Sequence, residues 1–245
     1  MTIGILGAGS LAGFVIAGAG GDFLISPRGQ SARLAQRPGV RVAASNQAVV
    51  DACDQVLVCL PARTGPEILR GLMFRPGQSV LSAMAGTGLA ALSQAVAPAR
   101  AAVTMMPGHA NALGVGPVIL HPADAGWQAV LSRLGPVHVL DTPQDFDLAA
   151  SFGALSGASI HWLAHLAAWF ETRGMPADLS RRLVAETLRG NAEVFLQSPE
   201  TPAEIAAGVT TPGGITAMVV ETLTEAGALK AWDQGMDRVL DRLRG

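Results

Sequence analysis

Near the far end of the chain, Val209-Thr210-Thr211-Pro212-Gly213-Gly214-Ile215-Thr216 sets a Pro-Gly-Gly turn between threonine hydroxyls and ahead of an apolar helical pattern. The glycines permit backbone geometry closed to other residues, and the first turn of the following helix presents unpaired N–H groups with partial positive charge. Such a segment can cradle a carboxylate or other polar group, with Thr211 and Thr216 supplying hydroxyls and Gly213 and Gly214 supplying amides. The same residues also suit a purely structural end, in which Thr211 N-caps a helix from about Pro212 to Ala226. The loop alone leaves both readings open.

A second constellation opens the chain. Gly7-Ala8-Gly9-Ser10-Leu11-Ala12 follows an apolar strand and begins a helix, the context that turns a common glycine spacing into a dinucleotide site. Gly7 allows the tight turn, Gly9 lets a pyrophosphate approach the backbone, and Ala12 keeps helix and sheet close. About twenty residues on, an NAD site would carry an acid for the ribose 2'-hydroxyl, but Phe23-Leu24-Ile25 ends in Ser26-Pro27-Arg28. With no carboxylate there to repel a 2'-phosphate, Ser26 and Arg28, joined by Arg33, favour NADPH over NADH.

These motifs need elements to position them. Eight short apolar runs read as strands: Ile3 to Leu6, Phe23 to Ser26, Val40 to Ala43, Gln55 to Leu60, Ser79 to Ala83, Ala101 to Met105, Gly116 to His121 and Val137 to Leu140. Helix-length segments separate several of them, as at Ser10 to Ala19 and Gln47 to Cys53. After about Asp145 the pattern turns helical: Phe146 to Thr172, Pro176 to Gln197, Thr201 to Ala207, Pro212 to Ala226 and Ala228 to Arg244. The expected fold is α/β, with an N-terminal Rossmann-type, doubly wound, mainly parallel sheet over residues 1–145 and an all-helical C-terminal domain over 146–245.

Composition narrows the partners. The 245 residues are 49% hydrophobic and 15% charged, with a formal net charge of -2, so nothing marks a nucleic-acid surface. Apolar runs are cut well short of a membrane span, and no leader precedes the first strand, so a cytoplasmic protein with a small-molecule partner is expected. Cys53 and Cys59 read as buried small hydrophobes, not a disulfide. His161 and His165 have metal-ligand spacing on one helix face but no evident third ligand, and no metal site is expected. Trp162, Leu166 and Trp169 on that nearly apolar helix predict dimerisation.

Taken together, these segments resemble the pyrroline-5-carboxylate reductase family, NAD(P)H-dependent enzymes that reduce a cyclic imine to proline. Asn46 at a helix start looks like the family's Asn near the adenine, and Asp54 through Leu60-Pro61 like its nicotinamide-side strand. Ser82-Ala83-Met84-Ala85-Gly86 matches Ser-x-x-Ala-Gly, and Met106-Pro107 stands where the family has Met-Pro-Asn-Thr-Pro. Ser156-Gly157 is similar to part of Ser-Gly-Ser-Gly, and Thr187-Leu188-Arg189-Gly190 to Thr-x-x-Gly. Thr211-Pro212-Gly213-Gly214-Ile215-Thr216 resembles Ser-Pro-Gly-Gly-Thr-Thr, with Thr216 on the substrate-binding threonine. The resemblance implies cofactor contacts from Leu60, Pro61 and Ala85, substrate contacts from Met106 and Pro107, and a homodimer or higher homo-oligomer of interlocked helical domains. The departures are Gly108-His109-Ala110 for Asn-Thr-Pro, Thr104 for an Arg, no Lys before Pro61, and a helix about one turn short after Ser156.

Imine reduction needs a held hydride donor, a polar contact for nitrogen and a donor-rich pocket for a carboxylate, but no strong acid. Thr216 is the expected contact or proton donor to nitrogen, and His109 a further candidate proton donor. Two alternatives remain at this level: an NADP-dependent oxidoreductase acting on a ketone or hydroxy acid, and a non-catalytic NADP-sensing paralogue. The first needs a general acid, yet Lys230 is the only lysine in the chain.

Overall fold

The computed structural model describes residues 2–244. Its eight strands are β1 (Ile3–Leu6), β2 (Phe23–Ile25), β3 (Val40–Val42), β4 (Gln55–Val58), β5 (Ser79–Ser82), β6 (Arg100–Met105), β7 (Val118–His121) and β8 (Val137–Val139). They form one sheet in the order β3-β2-β1-β4-β5-β6-β7-β8. Every pairing is parallel except β6 with β7, where Val103 faces His121. The sense in which successive strands are added across the sheet reverses between β1 and β4, which opens a crevice beyond the carboxyl ends of those strands.

Alternation along the strands builds two cores. Ile3, Ile5 and Leu57 face one side, packing with Ala12, Val15 and Ile16 of α1 (Ser10–Ala19) and with Trp127 and Leu131 of α6 (Ala125–Leu131). Leu6, Val56 and Val58 face the other, against Val49 and Val50 of α3 (Asn46–Ala52), Leu69 of α4 (Gly65–Arg70) and Leu92 of α5 (Leu89–Val96). Gly4 shows how tight the second layer is: a Cβ there would stand 2.8 Å from a Val49 methyl. Between β2 and β3 lies only the short α2 (Ser31–Leu34).

Polar groups inside these layers are used to fix helices. Trp127, with no exposed surface, donates its indole N–H to Ser79 Oγ at 2.9 Å, and Ser79 donates to the Asp124 cap of α6 at 3.1 Å. Gln78 is equally buried; its amide donates to Val50 O at 2.6 Å and Cys53 O at 2.8 Å while its carbonyl accepts the Arg75 N–H at 2.8 Å. That side chain holds the end of α3 to the entry of β5, and α3 carries Asn46 at its start.

The remaining helices are α7 (Pro143–Ala150), α8 (Phe152–Glu171), α9 (Ala177–Gln197), α10 (Pro202–Gly208), α11 (Ile215–Glu225) and α12 (Ala228–Arg244). Contacts group the described residues through Ala154, together with those from Val239 onward, into one unit, and Leu155–Arg238 into a second. The first unit thus runs past residue 145, because α7 packs on β7.

Two helix expectations are corrected. The expected single helix from Phe146 to Thr172 is two, divided at Ser151, whose hydroxyl donates to Leu148 O at 2.7 Å and competes with the helical ladder. The Thr142 cap and Pro143 start α7 earlier than expected; the Thr142 hydroxyl accepts the Asp145 N–H at 3.1 Å. The expected helix from Pro212 starts at Ile215, with Gly214 and not Thr211 at the cap position.

In the second unit only Ser180 and Val184 are buried among the described residues. Leu196 is 80% exposed, and Trp162, Trp169, Val194, Phe195, Val219 and Leu223 are all open within this chain. No helix among the described residues is long and apolar enough to cross a membrane.

A Gln78→Leu variant is expected to lose about 3 kcal/mol, because the Cys53 carbonyl and Arg75 N–H are left unpaired in the interior. A melting temperature lowered by roughly 6–12 °C in calorimetry would show it.

Candidate functional site

Four strand exits converge on one cleft of about 350 Å³. Gly7, Ala8 and Gly9 come from the end of β1, Ser26, Arg28, Gly29 and Gln30 from the end of β2, Asn46 from beyond β3, and Cys59, Leu60 and Pro61 from the end of β4. This is the crevice at the reversal of strand order. No carboxylate lines it. Arg28 is exposed and forms no ion pair among the described residues.

The two glycines of the opening motif act differently. Gly7 has φ of +97°, and a Cβ there would lie 2.6 Å from the Cys59 carbonyl oxygen, so the turn excludes every other residue. Gly9 has ordinary φ of -96° and caps α1 with no side-chain cap; a Cβ there would meet nothing within 4 Å. Its bareness leaves open space against the first N–H groups of a ten-residue helix, which suits an approaching phosphate.

The segment after β2 is fastened to that loop. Ser26 Oγ accepts the Gly7 N–H at 3.1 Å and donates to Ile5 O at 3.3 Å, and the residue is 2% exposed. Its hydroxyl proton is therefore committed to the loop, which corrects the expectation that Ser26 donates to a phosphate. Gly29, at φ of +77°, bridges to Ala8, and Gln30 N–H donates to Ala8 O at 2.7 Å. Gly29 and Gln30 were not among the expected site residues; the Pro27-Arg28-Gly29 turn signal and the residue following it mark them.

Other expected cofactor residues stand apart from the cleft lining. Ser10 is exposed at the start of α1 and lines a neighbouring groove, Leu11 packs partly against the core, and Ala85 is exposed in the loop after β5. Cys59 borders the cleft but packs against the core, and burial pushes its thiol up to about 12, leaving it protonated and unreactive at neutral pH.

Beyond β6 the chain makes a compact loop. Met106 is 5% exposed and turned into the core, so its side chain is not a substrate surface as expected; Pro107 is half-buried. Gly108 has φ of +91°, and a Cβ would lie 2.7 Å from the Phe14 ring. His109 is exposed and rests on that same ring, with centroids 4.2 Å apart, and is not among the residues lining the cleft. The organiser of this loop went unnoticed in the sequence: Asn111, fully buried, accepts the Gly108 N–H at 2.8 Å and donates to Gly116 O at 2.9 Å and Leu134 O at 3.2 Å.

In the helical unit, Thr211-Pro212-Gly213-Gly214 forms a tight turn. Gly213 takes φ of +72°, and the Gly214 N–H donates to Thr211 O at 2.9 Å. The Gly214 amide is thus spent on the turn, correcting its expected role in holding a carboxylate. The first helical bond runs from Met218 N–H to Gly214 O, leaving the amides of Ile215, Thr216 and Ala217 as the unpaired donors of α11. Thr211 and Thr216 are both exposed. His161 and His165 are exposed on α8, and no group of three or more His, Cys, Asp or Glu among the described residues can hold a metal ion.

Comparison with known proteins bears on both units. Residues 147–245 match the family model for pyrroline-5-carboxylate reductase dimerisation, and residues 2–86 match the model described as NADP oxidoreductase, coenzyme F420-dependent. The chain is 24% identical over 263 residues to pyrroline-5-carboxylate reductase 1 of Bacillus spizizenii, covering 98% of this chain and 87% of that one. These matches make the chain similar to the pyrroline-5-carboxylate reductase family over both units. Its fold is that of the family's solved structures. The 1-pyrroline-5-carboxylate reductase of Streptococcus pyogenes superposes with a TM-score of 0.88 at 22% identity, covering 100% of this chain and 98% of that one. The Plasmodium falciparum pyrroline carboxylate reductase with NADP bound gives 0.87 at 16% identity, over 100% and 97%.

The glycines yield a paired prediction. Gly7→Ala is expected to cost about 3 kcal/mol or more through backbone strain and collision with Cys59. Gly9→Ala should melt like the parent yet bind NADPH at least about tenfold more weakly, since only a bound phosphate would meet the new methyl. Thermal melts and fluorescence titration with NADPH separate the two.

Proposed function

We propose that this chain is an NADPH-dependent reductase of a small cyclic imine that carries a carboxylate, pyrroline-5-carboxylate or a related imine, forming proline or the corresponding amine. The reading rests on one pairing: a family member has an acid-free dinucleotide cleft with Arg28 at its rim, and a Pro-Gly-Gly-Ile-Thr turn ending in unpaired helix amides. Arg28 favours the 2'-phosphorylated cofactor by charge-assisted pairing, and no carboxylate in the lining opposes it. Gly9 and the start of α1 hold the pyrophosphate; Leu60 and Pro61 form the apolar wall, and Asn46 offers an amide at the end distant from the chemistry.

The bound nicotinamide would supply the hydride to the imine carbon. A protonated C=N bond is already electrophilic, so what this chain contributes is positioning and a proton balance at nitrogen. Thr216, by its hydroxyl, hydrogen-bonds the nitrogen or passes it a proton. The amides of Ile215, Thr216 and Ala217, with the Thr211 hydroxyl, hold the carboxylate at the positive end of α11. His109, exposed and tilted against the Phe14 ring, is a second candidate for that proton.

The deciding experiment is a spectrophotometric panel of cyclic imines with NADPH and NADH. Turnover of at least one imine carboxylate is expected, and Thr216→Ala should lower kcat on the order of 10²-fold while leaving NADPH binding unchanged. Full turnover by that variant would sink the role of Thr216. NADPH binding without oxidation across the panel would instead favour a sensing protein, to which the buried Met106 and altered Gly108-His109 loop lend some support.

We also infer that the chain works as a homo-oligomer, a dimer or larger, in the cytoplasm. The open Trp162, Trp169, Phe195 and Leu196 side chains would otherwise leave a large apolar area in water. Light scattering is expected to give at least twice the chain mass; a stable monomer would refute it.

A further inference from the structure

Gln30 lines the dinucleotide cleft, and its side chain reaches Ser10 and Arg33, which with Phe14 and Arg37 line a second groove of about 610 Å³. Its backbone N–H donates to Ala8 O, its amide nitrogen donates to Ser10 Oγ at 3.4 Å, and its amide oxygen accepts from the Arg33 guanidinium. Ser31, the next residue, donates its hydroxyl to Pro27 O at 2.8 Å, so the turn bearing Arg28 is braced from the same side. Arg28 and Arg33 form no ion pair among the described residues.

We propose that Gln30 is a positioning and cofactor-specificity residue, holding the Arg33 guanidinium against the cleft-lining amide so that a 2'-phosphate beside Arg28 meets a second guanidinium. The inference rests on the NADPH reading above. A guanidinium left free on a long side chain spends its time in solvent, and fixing it costs rotamer entropy at the moment of binding. Gln30 removes much of that cost by holding Arg33 in place beforehand, while its own attachment to Ala8 and Ser10 references the pair to the phosphate loop. The amide is suited to the task because it accepts from Arg33 and donates to Ser10 without carrying charge. A carboxylate at this position would still accept from Arg33, but it would neutralise it, lose the donor to Ser10 and repel the 2'-phosphate. Arg37 lines the same groove without a bond to Gln30, and it serves as the control.

The test is to titrate NADPH and NADH into the parent protein and into Arg28→Ala, Arg33→Ala, Gln30→Ala, Gln30→Glu and Arg37→Ala, with a melt of each. Arg33→Ala and Gln30→Ala are expected to weaken NADPH about fivefold, and Gln30→Glu about twentyfold or more, with NADH changed less than about twofold. Arg28→Ala should weaken NADPH about tenfold and Arg37→Ala not at all. Gln30 variants that keep the parental NADPH-to-NADH ratio, or that weaken both cofactors alike, would overturn the role of Gln30. A parent that binds NADH as tightly as NADPH would overturn the NADPH reading itself, a result distinguishable from the first because it precedes any substitution.

Discussion

The rest of the nucleotide-binding unit depends on one close approach, the backbone of Gly7 against the backbone of Cys59. With Cβ absent, β1 can turn out of the sheet directly beside the exit of β4, where the Cys59 N–H donates to Leu6 O at 2.7 Å. Ser26 then links the same glycine to β2, and Gln30 and Gly29 link the next residue, Ala8, to the turn that follows. Three strand exits are thereby held within hydrogen-bond distance of each other before any ligand arrives. The cleft owes its shape to backbone packing, which explains why so few of its lining side chains make hydrogen bonds of their own. Preorganisation of this kind leaves binding energy available for the ligand instead of for ordering the loop.

Strand existence was legible throughout, because a buried parallel sheet requires continuous apolar runs and turn residues between them. Six of the strands shortened by one or two residues, as at Gln55–Val58, where Cys59 and Leu60 leave the sheet to border the cleft. Errors in the helical half came from side chains that satisfy backbone groups locally. Ser151 returns its hydroxyl to Leu148 and divides a helix whose apolar pattern runs on without a break. Gly213 takes positive φ and delays α11 by three residues past Pro212, a difference that periodicity does not register.

Within the candidate site, glycine positions and charge were legible, since steric exclusion and the absence of an acid depend on residue type alone. Hydrogen-bond commitments were not. Ser26 read as a free hydroxyl and Gly214 as a free amide, yet each is spent on a neighbour close in space. Asn111 carried no signal because its value lies in reaching carbonyls of two separate segments, Gly116 and Pro117 in one and Leu134 in the other, which converge only on folding. A side chain's chemistry is in its type; its availability is a property of the fold.

Two loops, one that departs from the family resemblance and one that keeps it, also differ in how they are held. Gly108 is pressed against Phe14 and tied to Asn111, so the Met106-to-Gly116 loop has no room for a side chain at position 108. The Thr211-to-Gly214 turn has a single internal hydrogen bond and open space around Gly213. Substitutions that enlarge or recharge the second are therefore structurally cheap, while those in the first must be compensated in α1. Variation at Thr211, Ile215 and Thr216, whose side chains are all exposed, would accordingly leave the turn's backbone hydrogen bond in place.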